Sequence, residues 1–258
     1  MPARACRCLP ADWAATRSNG TIPRHPKDPE LKNWTTRPIC AFDLETTGRD
    51  PLSARIVTAC VVTVEDGRPR TRNWIVDPGV DIPEDASAIH GISTAHAREH
   101  GLDYEFGYRE VRRALTDAWA AGYAVVAFNA SYDLTVMDAE GRRLGLPPMD
   151  DYGLVVDPYV IDREVDRYRR GKRTLGALCE HYGVEPGAAH EAESDALAAA
   201  ELARILPLRF PELATLDDVM TSQAGWHAER QRDFAEYLRR EGRDASDVDE
   251  HWPIRIAA

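Results

Sequence analysis

The sequence predicts an α/β fold in which a mixed sheet, an antiparallel meander of three strands plus parallel strands, is flanked by helices. Three observations carry that reading. Apolar and β-branched runs joined by short turns fill residues 38 to 76. A helix-length segment then separates this group from the next apolar run, which is the connection a parallel crossover needs. Beyond it, segments of helical period alternate with short apolar stretches.

Taken in order, residues 1–37 are rich in Pro, Arg, Asn and Thr and lack periodicity, so they read as a flexible N-terminal extension. Their arginines accompany no apolar core segment, so no secretory leader is expected there. Pro38 to Thr46 forms a first strand, and Arg55 to Val64, dense in Val, Ile and Thr, a second. Glu65-Asp66-Gly67 turns the chain into a third strand, Arg70 to Val76. Between Ile82 and Ser93 lies a short helix with a stop at Gly91, and Ser93 caps the following turn. Tyr104, Tyr108, Val111, Leu115 and Ala118 recur at steps of three and four and mark an amphipathic helix. Tyr123 to Phe128 is a fourth strand, parallel to the first, and Asn129 to Asp133 leads into another helix. Leu154 to Val156 adds a fifth strand.

Asp162 to Arg173 is highly charged. Thr174 to Tyr182 is a short helix stopped by Gly183, and Ala192 to Leu206 a longer one ended by Pro207. On the latter, Ala192, Ala196, Ala199 and Ala203 share a face, so the helix can lie close to the sheet. A last amphipathic helix, Leu216 to Arg240, carries Val219, Trp226, Phe234, Tyr237 and Leu238 at helical spacing, and an acidic tail runs from Asp244 to Glu250. The expected organisation is the extension 1–37, a domain over 38–208, and a C-terminal helix and tail over 209–258.

With 258 residues, 43% of them hydrophobic, the chain can bury one large core or two small ones. It has no apolar run of membrane-spanning length, so a cytoplasmic protein without membrane contact is expected. A net charge of −11 excludes coating nucleic acid by bulk charge, but not a nuclease with a local basic patch. Of the five cysteines, Cys40, Cys60 and Cys179 lie in apolar or helical patterns and read as reduced, buried thiols. Cys6-x-Cys8 lacks the second pair that a metal site would require.

The chemistry concentrates in Ile39-Cys-Ala-Phe-Asp-Leu-Glu-Thr-Thr-Gly48. A strand has a side-chain period of two, so Asp43 and Glu45 point to one face and Phe42 and Leu44 to the other. Adjacent carboxylates on a buried strand repel each other, and a shared hard divalent cation offsets that repulsion. Asp133 sits just past the end of a later strand, at a helix start. His190 precedes, and Asp195 opens, the alanine-rich helix. Singly these are a surface histidine and two helix-start acids that complement a helix dipole. Together, and in this order, they describe a site.

Ala41 to Gly48, Asn129-Ala-Ser-Tyr-Asp133 and His190-x4-Asp195 resemble the three motifs of the DEDDh, or DnaQ-like, family of 3′-to-5′ exonucleases, which includes the proofreading subunit of bacterial DNA polymerase III. Ala88-Ile-His-Gly-Ile92 resembles a further family segment, and the likeness covers about residues 38 to 206. Phe128 departs from the pattern, since many members carry His there. The resemblance implies a ribonuclease-H-like fold and two divalent cations, magnesium or manganese, on Asp43, Glu45, Asp133 and Asp195. It implies His190 as general base, taking a proton from water at an unperturbed pKa of about 6.5. It also implies that the backbone at Leu44, Thr46 and Thr47 meets the terminal nucleotide, with Ile89, His90 and Asn129 along the strand. The basic loop Tyr168 to Arg173 offers Arg169, Arg170 and Lys172 to phosphates, or is simply a solvated loop. The expected partner is a nucleic acid with a free 3′ end, single-stranded DNA ahead of RNA ends. A DNA polymerase or another protein is the candidate partner for the C-terminal tail.

Overall fold

The computed structural model describes residues 33–65, 68–150, 152–185 and 191–256. Its sheet has five strands: β1 (Ile39–Thr46), β2 (Ile56–Glu65), β3 (Arg68–Ile75), β4 (Ala124–Val126) and β5 (Val155–Val156). They lie in the order β3-β2-β1-β4-β5, with β1, β2 and β3 antiparallel and β4 and β5 parallel to β1. The expected mixed sheet is present, with each strand within two residues of its expected start.

Helices cover both faces. Helices α1 (Glu84–His90) and α2 (Thr94–His100) follow β3. Gly91 closes α1 at φ 77°, and the Ser93 side chain caps α2 by accepting from His96 N. Helix α3 (Tyr104–Ala120) makes the crossover and buries Tyr108, Val111, Leu115 and Ala118, as its periodicity predicts. Helix α4 (Ala130–Arg143) follows β4.

Helix α5 (Pro158–Val165) is not among the expected elements. Asp157 caps it and Pro158 supplies a preset φ at its first position. The charged stretch that begins at Asp162 therefore starts inside a helix, and Asp162 is fully buried. Helix α6 (Leu175–Tyr182) ends at Gly183, φ 73°. Helix α7 (Ala192–Arg209) runs through Pro207 rather than stopping there. Proline removes only its own N–H, and in the last turn the helix is still closed by Phe210 N to Leu206 O at 2.8 Å.

The alternation along β1 decides where the carboxylates go. Cys40, Phe42 and Leu44 pack into a core with α3 and α4. Ile39 and Ala41 pack into a second core with Ala196, Ala199 and Ala203 of α7. Asp43 and Glu45 continue the second set, so they face the side that α7 covers.

Helix α8 (Val219–Arg240) is less amphipathic in the expected sense. Val219 and Leu238 are buried, but Phe234 and Tyr237 are 46% and 44% exposed, and the polar Gln223 and His227 take buried places on the packed face. Both ends of the described region dock on the sheet and its helices. Trp34, expected in the flexible extension, is buried and donates from Nε1 to Leu213 O at 2.9 Å. Beyond the acidic tail, Trp252 is buried in the α3–α4 core, and Arg255 N donates to Thr135 Oγ1 at 2.9 Å. Residues 1–32, including Cys6 and Cys8, lie outside the described residues; Cys40, Cys60 and Cys179 are buried and free. Among the described residues, no helix is long and apolar enough to cross a membrane.

Candidate active site

One ligand oxygen each from Asp43, Glu45 and Asp195 lies within 4.8 Å of the others. Two come from the α7-facing side of β1 and the third from the first turn of α7. That turn is tied to the sheet edge by Asn73 of β3, whose Nδ2 donates to Glu193 Oε2 at 2.9 Å.

Asp133 stands apart from this trio but within its electrostatic reach. It is 4% exposed, in the first turn of α4, and its Oδ1 accepts from Leu44 N at 3.2 Å. The turn before it is unusual. Asn129 has φ 64° and ψ 47°, the one left-handed non-glycine among the described residues. Asp157 holds it there, accepting from Asn129 N and Ala130 N, each at 2.9 Å, while also capping α5. Asp157 is not among the residues expected at the site. Its signal is Asp-Pro directly after an apolar pair, a helix start at the end of a strand.

The electrostatics are those of buried, mutually repelling carboxylates. Burial first, then Asp133, Glu45 and Asp195, pushes the Asp43 carboxyl well above its ordinary range. Burial and Asp195 raise Glu45 to about 7. Burial raises Asp133, against the opposing N–H of Leu44, and raises Asp157 to about 6 against its several N–H donors. Three clustered carboxylates in a half-buried setting form an all-oxygen donor set, which suits a hard divalent ion.

The remaining expected residues fall into distinct groups. The Leu44 side chain is in the core. Thr46 Oγ1 donates to Gly48 O at 2.9 Å and meets the Tyr132 hydroxyl, while Thr47 Oγ1 accepts from Arg55 N at 2.9 Å, so both hydroxyls hold the turn after β1. His90 Nδ1 accepts from Ile92 N at 3.2 Å; burial lowers its pKa against the pull of the Thr46 backbone, and Ile89 is exposed. Asn129 and Lys172 line a cleft of about 730 Å³ that also exposes Asp43, Asp195, Phe128, Tyr159, Arg163 and Arg230. Arg170 is exposed away from it. Arg169 borders the cleft, but its guanidinium pairs with Asp162 at 3.1 Å and Asp166 at 3.0 Å, so it serves the fold. His190 lies outside the described residues.

The family model described as Exonuclease, of RNase T type, matches residues 40–203. The chain belongs to the exonuclease family. The match spans β1 to α7 and holds all four acids and His190. The PolC-type DNA polymerase III of Staphylococcus haemolyticus is 29% identical over 174 residues, covering 66% of this exonuclease-family chain and 11% of the polymerase. The chain thus spans about a ninth of that relative. Among solved structures, Escherichia coli exonuclease I with a dT13 oligonucleotide superposes at a TM-score of 0.60 and 18% identity, covering 69% of this chain and 42% of that one. The zinc-bound form of the same enzyme with single-stranded DNA gives a TM-score of 0.61 at 17% identity, covering 78% and 45%. At these identities the structures establish a shared fold.

Proposed function

We propose that this chain is a 3′-to-5′ exonuclease that releases nucleoside monophosphates from single-stranded DNA ends. The convergence of Asp43, Glu45 and Asp195 beside Asp133, within the matched family region, is the observation that carries the reading. Asp43, Glu45 and Asp195 would hold a divalent ion, with Asp133 available to a second. Such an ion neutralises charge building on the scissile phosphate and makes water a better proton donor.

The protein's own groups do the rest. Asp157 and the Leu44 N–H fix Asp133, so its carboxylate does not reorganise as charge develops. His190, one residue before the Glu191 cap of α7, takes the proton from the attacking water. Asn129 and the rings of Phe128 and Tyr159, whose centroids are 5.5 Å apart, flank the strand where it enters the cleft. The single-stranded DNA bound by the exonuclease I relative supports DNA as substrate.

RNA 3′ ends are the competing substrate within the same chemistry. A second reading, action beside a polymerase, draws on the relative that carries this region within a far longer polymerase chain. The test is incubation of the full chain with 5′-labelled and 3′-labelled single-stranded DNA and RNA in magnesium, manganese or EDTA, next to Asp43→Ala. Divalent-ion-dependent shortening from the 3′ end, absent in the variant, is expected, with DNA cleaved faster than RNA. Faster RNA cleavage assigns RNA ends. No cleavage by the chain alone refutes the autonomous enzyme and favours the partner-dependent one.

A further inference from the structure

Two arginines in the cleft lack the partners that their neighbours have. Arg167 pairs with Glu229 at 2.6 Å and Asp233 at 4.0 Å, and Arg169 and Arg173 pair with Asp162. Arg163 of α5 and Arg230 of α8 make no ion pair among the described residues. Arg163 Nη1 instead donates to the Tyr159 hydroxyl at 2.6 Å, its guanidinium lies over the Tyr159 ring at 5.1 Å, and its buried Nε has no hydrogen-bond partner. Burial lowers the pKa of Arg230, and the charges of Arg163 and Arg167 lower it further.

Partly buried like charges are unfavourable, just as the facing carboxylates are. Glu164, Glu229 and Asp233 lie nearby, yet Glu229 is committed to Arg167 and Asp233 reaches Arg230 only at longer range. In a chain of net charge −11, a cationic pair without a direct ion pair, in the same cleft as Asp43 and Asp195, calls for an anion. A guanidinium fork fits a phosphodiester, and an aromatic face beside it fits a base.

We propose that Arg163 and Arg230, with the Tyr159 ring, hold a phosphodiester of the single strand on the 5′ side of the scissile bond. The proposal rests on the exonuclease reading and adds a residue from α8, which lies beyond the matched family region. It moves the strand contact from the loop that carries Arg169 and Arg170 to the wall between α5 and α8.

The test measures binding without turnover. Labelled oligothymidylates and oligouridylates, a dinucleotide and an octanucleotide of each, are titrated into the full chain in EDTA at several salt concentrations. For the wild type, affinity rises with length and falls steeply with salt. In Arg163→Ala/Arg230→Ala the octanucleotide weakens by roughly tenfold or more, the gain from length shrinks, and the salt slope falls by about 0.7 per lost contact. The Arg163→Lys/Arg230→Lys variant recovers part of the slope, which separates a lost contact from a misfolded wall. An unchanged slope and length dependence in the alanine variant overturns the site, as does a loss that lysine does not restore. Because hydrolysis is not read, a wild type that binds strands yet cleaves none would sink the exonuclease reading while leaving this one to the slope.

Discussion

Gln223 of α8 completes the unpaired edge of the sheet at Asp157: its Oε1 accepts from Asp157 N at 2.7 Å, and its Nε2 donates to Val155 O at 2.9 Å. Strand β5 is an edge strand, and this amide, with Met220 Sδ accepting from Val155 N at 3.1 Å, takes the place of a missing neighbour. It also fixes the backbone of the residue that holds the Asn129 turn and, through it, Asp133. Gln223→Ala leaves two buried backbone groups unpaired, which costs about 2–4 kcal/mol. A fall in melting temperature of roughly 5–10 °C is expected, together with weaker divalent-ion affinity. Asp157→Ala, which orphans more N–H donors, is expected to lose more of both. Calorimetric melting and ion titration of the two variants check this; a Gln223→Ala protein as stable as the wild type would show that α8 does not support the site.

The acid cluster opposes stability when no cation is bound. Glu45 is raised to about 7 and Asp157 to about 6. A carboxyl whose folded pKa is raised favours the folded state fully below its unfolded value, about 4, and loses that contribution as pH rises through the folded value. In EDTA the protein is therefore expected to lose stability as pH climbs from about 4 to about 7, and magnesium or manganese is expected to flatten that fall. Asp43→Asn removes one of the repelling charges, so it melts a few degrees higher than the wild type in EDTA, gains nothing from divalent ions, and is inactive. Melting curves across that pH range with and without metal decide the matter. A wild type that stabilises with rising pH in EDTA would contradict it.

Arg173 and Lys172 are neighbours in sequence with opposite roles. The Asp162 carboxylate is fully buried and is met by Arg173 at 2.5 Å, Arg169 at 3.1 Å and the Tyr182 hydroxyl at 2.7 Å. Arg173→Ala leaves that buried charge short of a partner and is expected to cost about 3–5 kcal/mol. The exposed Lys172 borders the cleft, and Lys172→Ala should leave melting within about 0.5 kcal/mol. Chemical denaturation of both variants tests the contrast, and equal stabilities would refute it.

The difference between those neighbours marks where the sequence stops being legible. Helix α3 was readable because one face of it is apolar, β1 and β2 because they are near-continuous apolar runs buried on both faces, and α7 because its small alanines pack closely on the sheet. Asp43, Glu45, Asp133 and Asp195 were readable because strand alternation and helix starts direct them locally. The buried charge of Asp162 was not, since its partners lie 7, 11 and 20 residues away and only the fold brings them together. Gln223 and His227 look like solvent-facing residues by composition, and α8 buries them because β5 and Asp249 offer them partners. Phe234 and Tyr237 invert the same expectation.

A change at His190 would separate catalysis from ion binding under the exonuclease reading. Its neighbour Glu191 stands at the N-cap of α7, and Asp195, one turn on, completes the acid trio. If His190 is the general base, His190→Ala lowers kcat by roughly 10²–10⁴-fold while divalent-ion affinity stays near that of the wild type. Asp43→Ala and Asp195→Ala lose both. Added imidazole should restore part of the His190→Ala rate, because a diffusing base can take the same proton. The measurement is single-turnover hydrolysis of an end-labelled strand paired with calorimetric ion titration. Full activity in His190→Ala would assign the proton to another group. Lost ion binding in that variant would instead place the imidazole among the ligands.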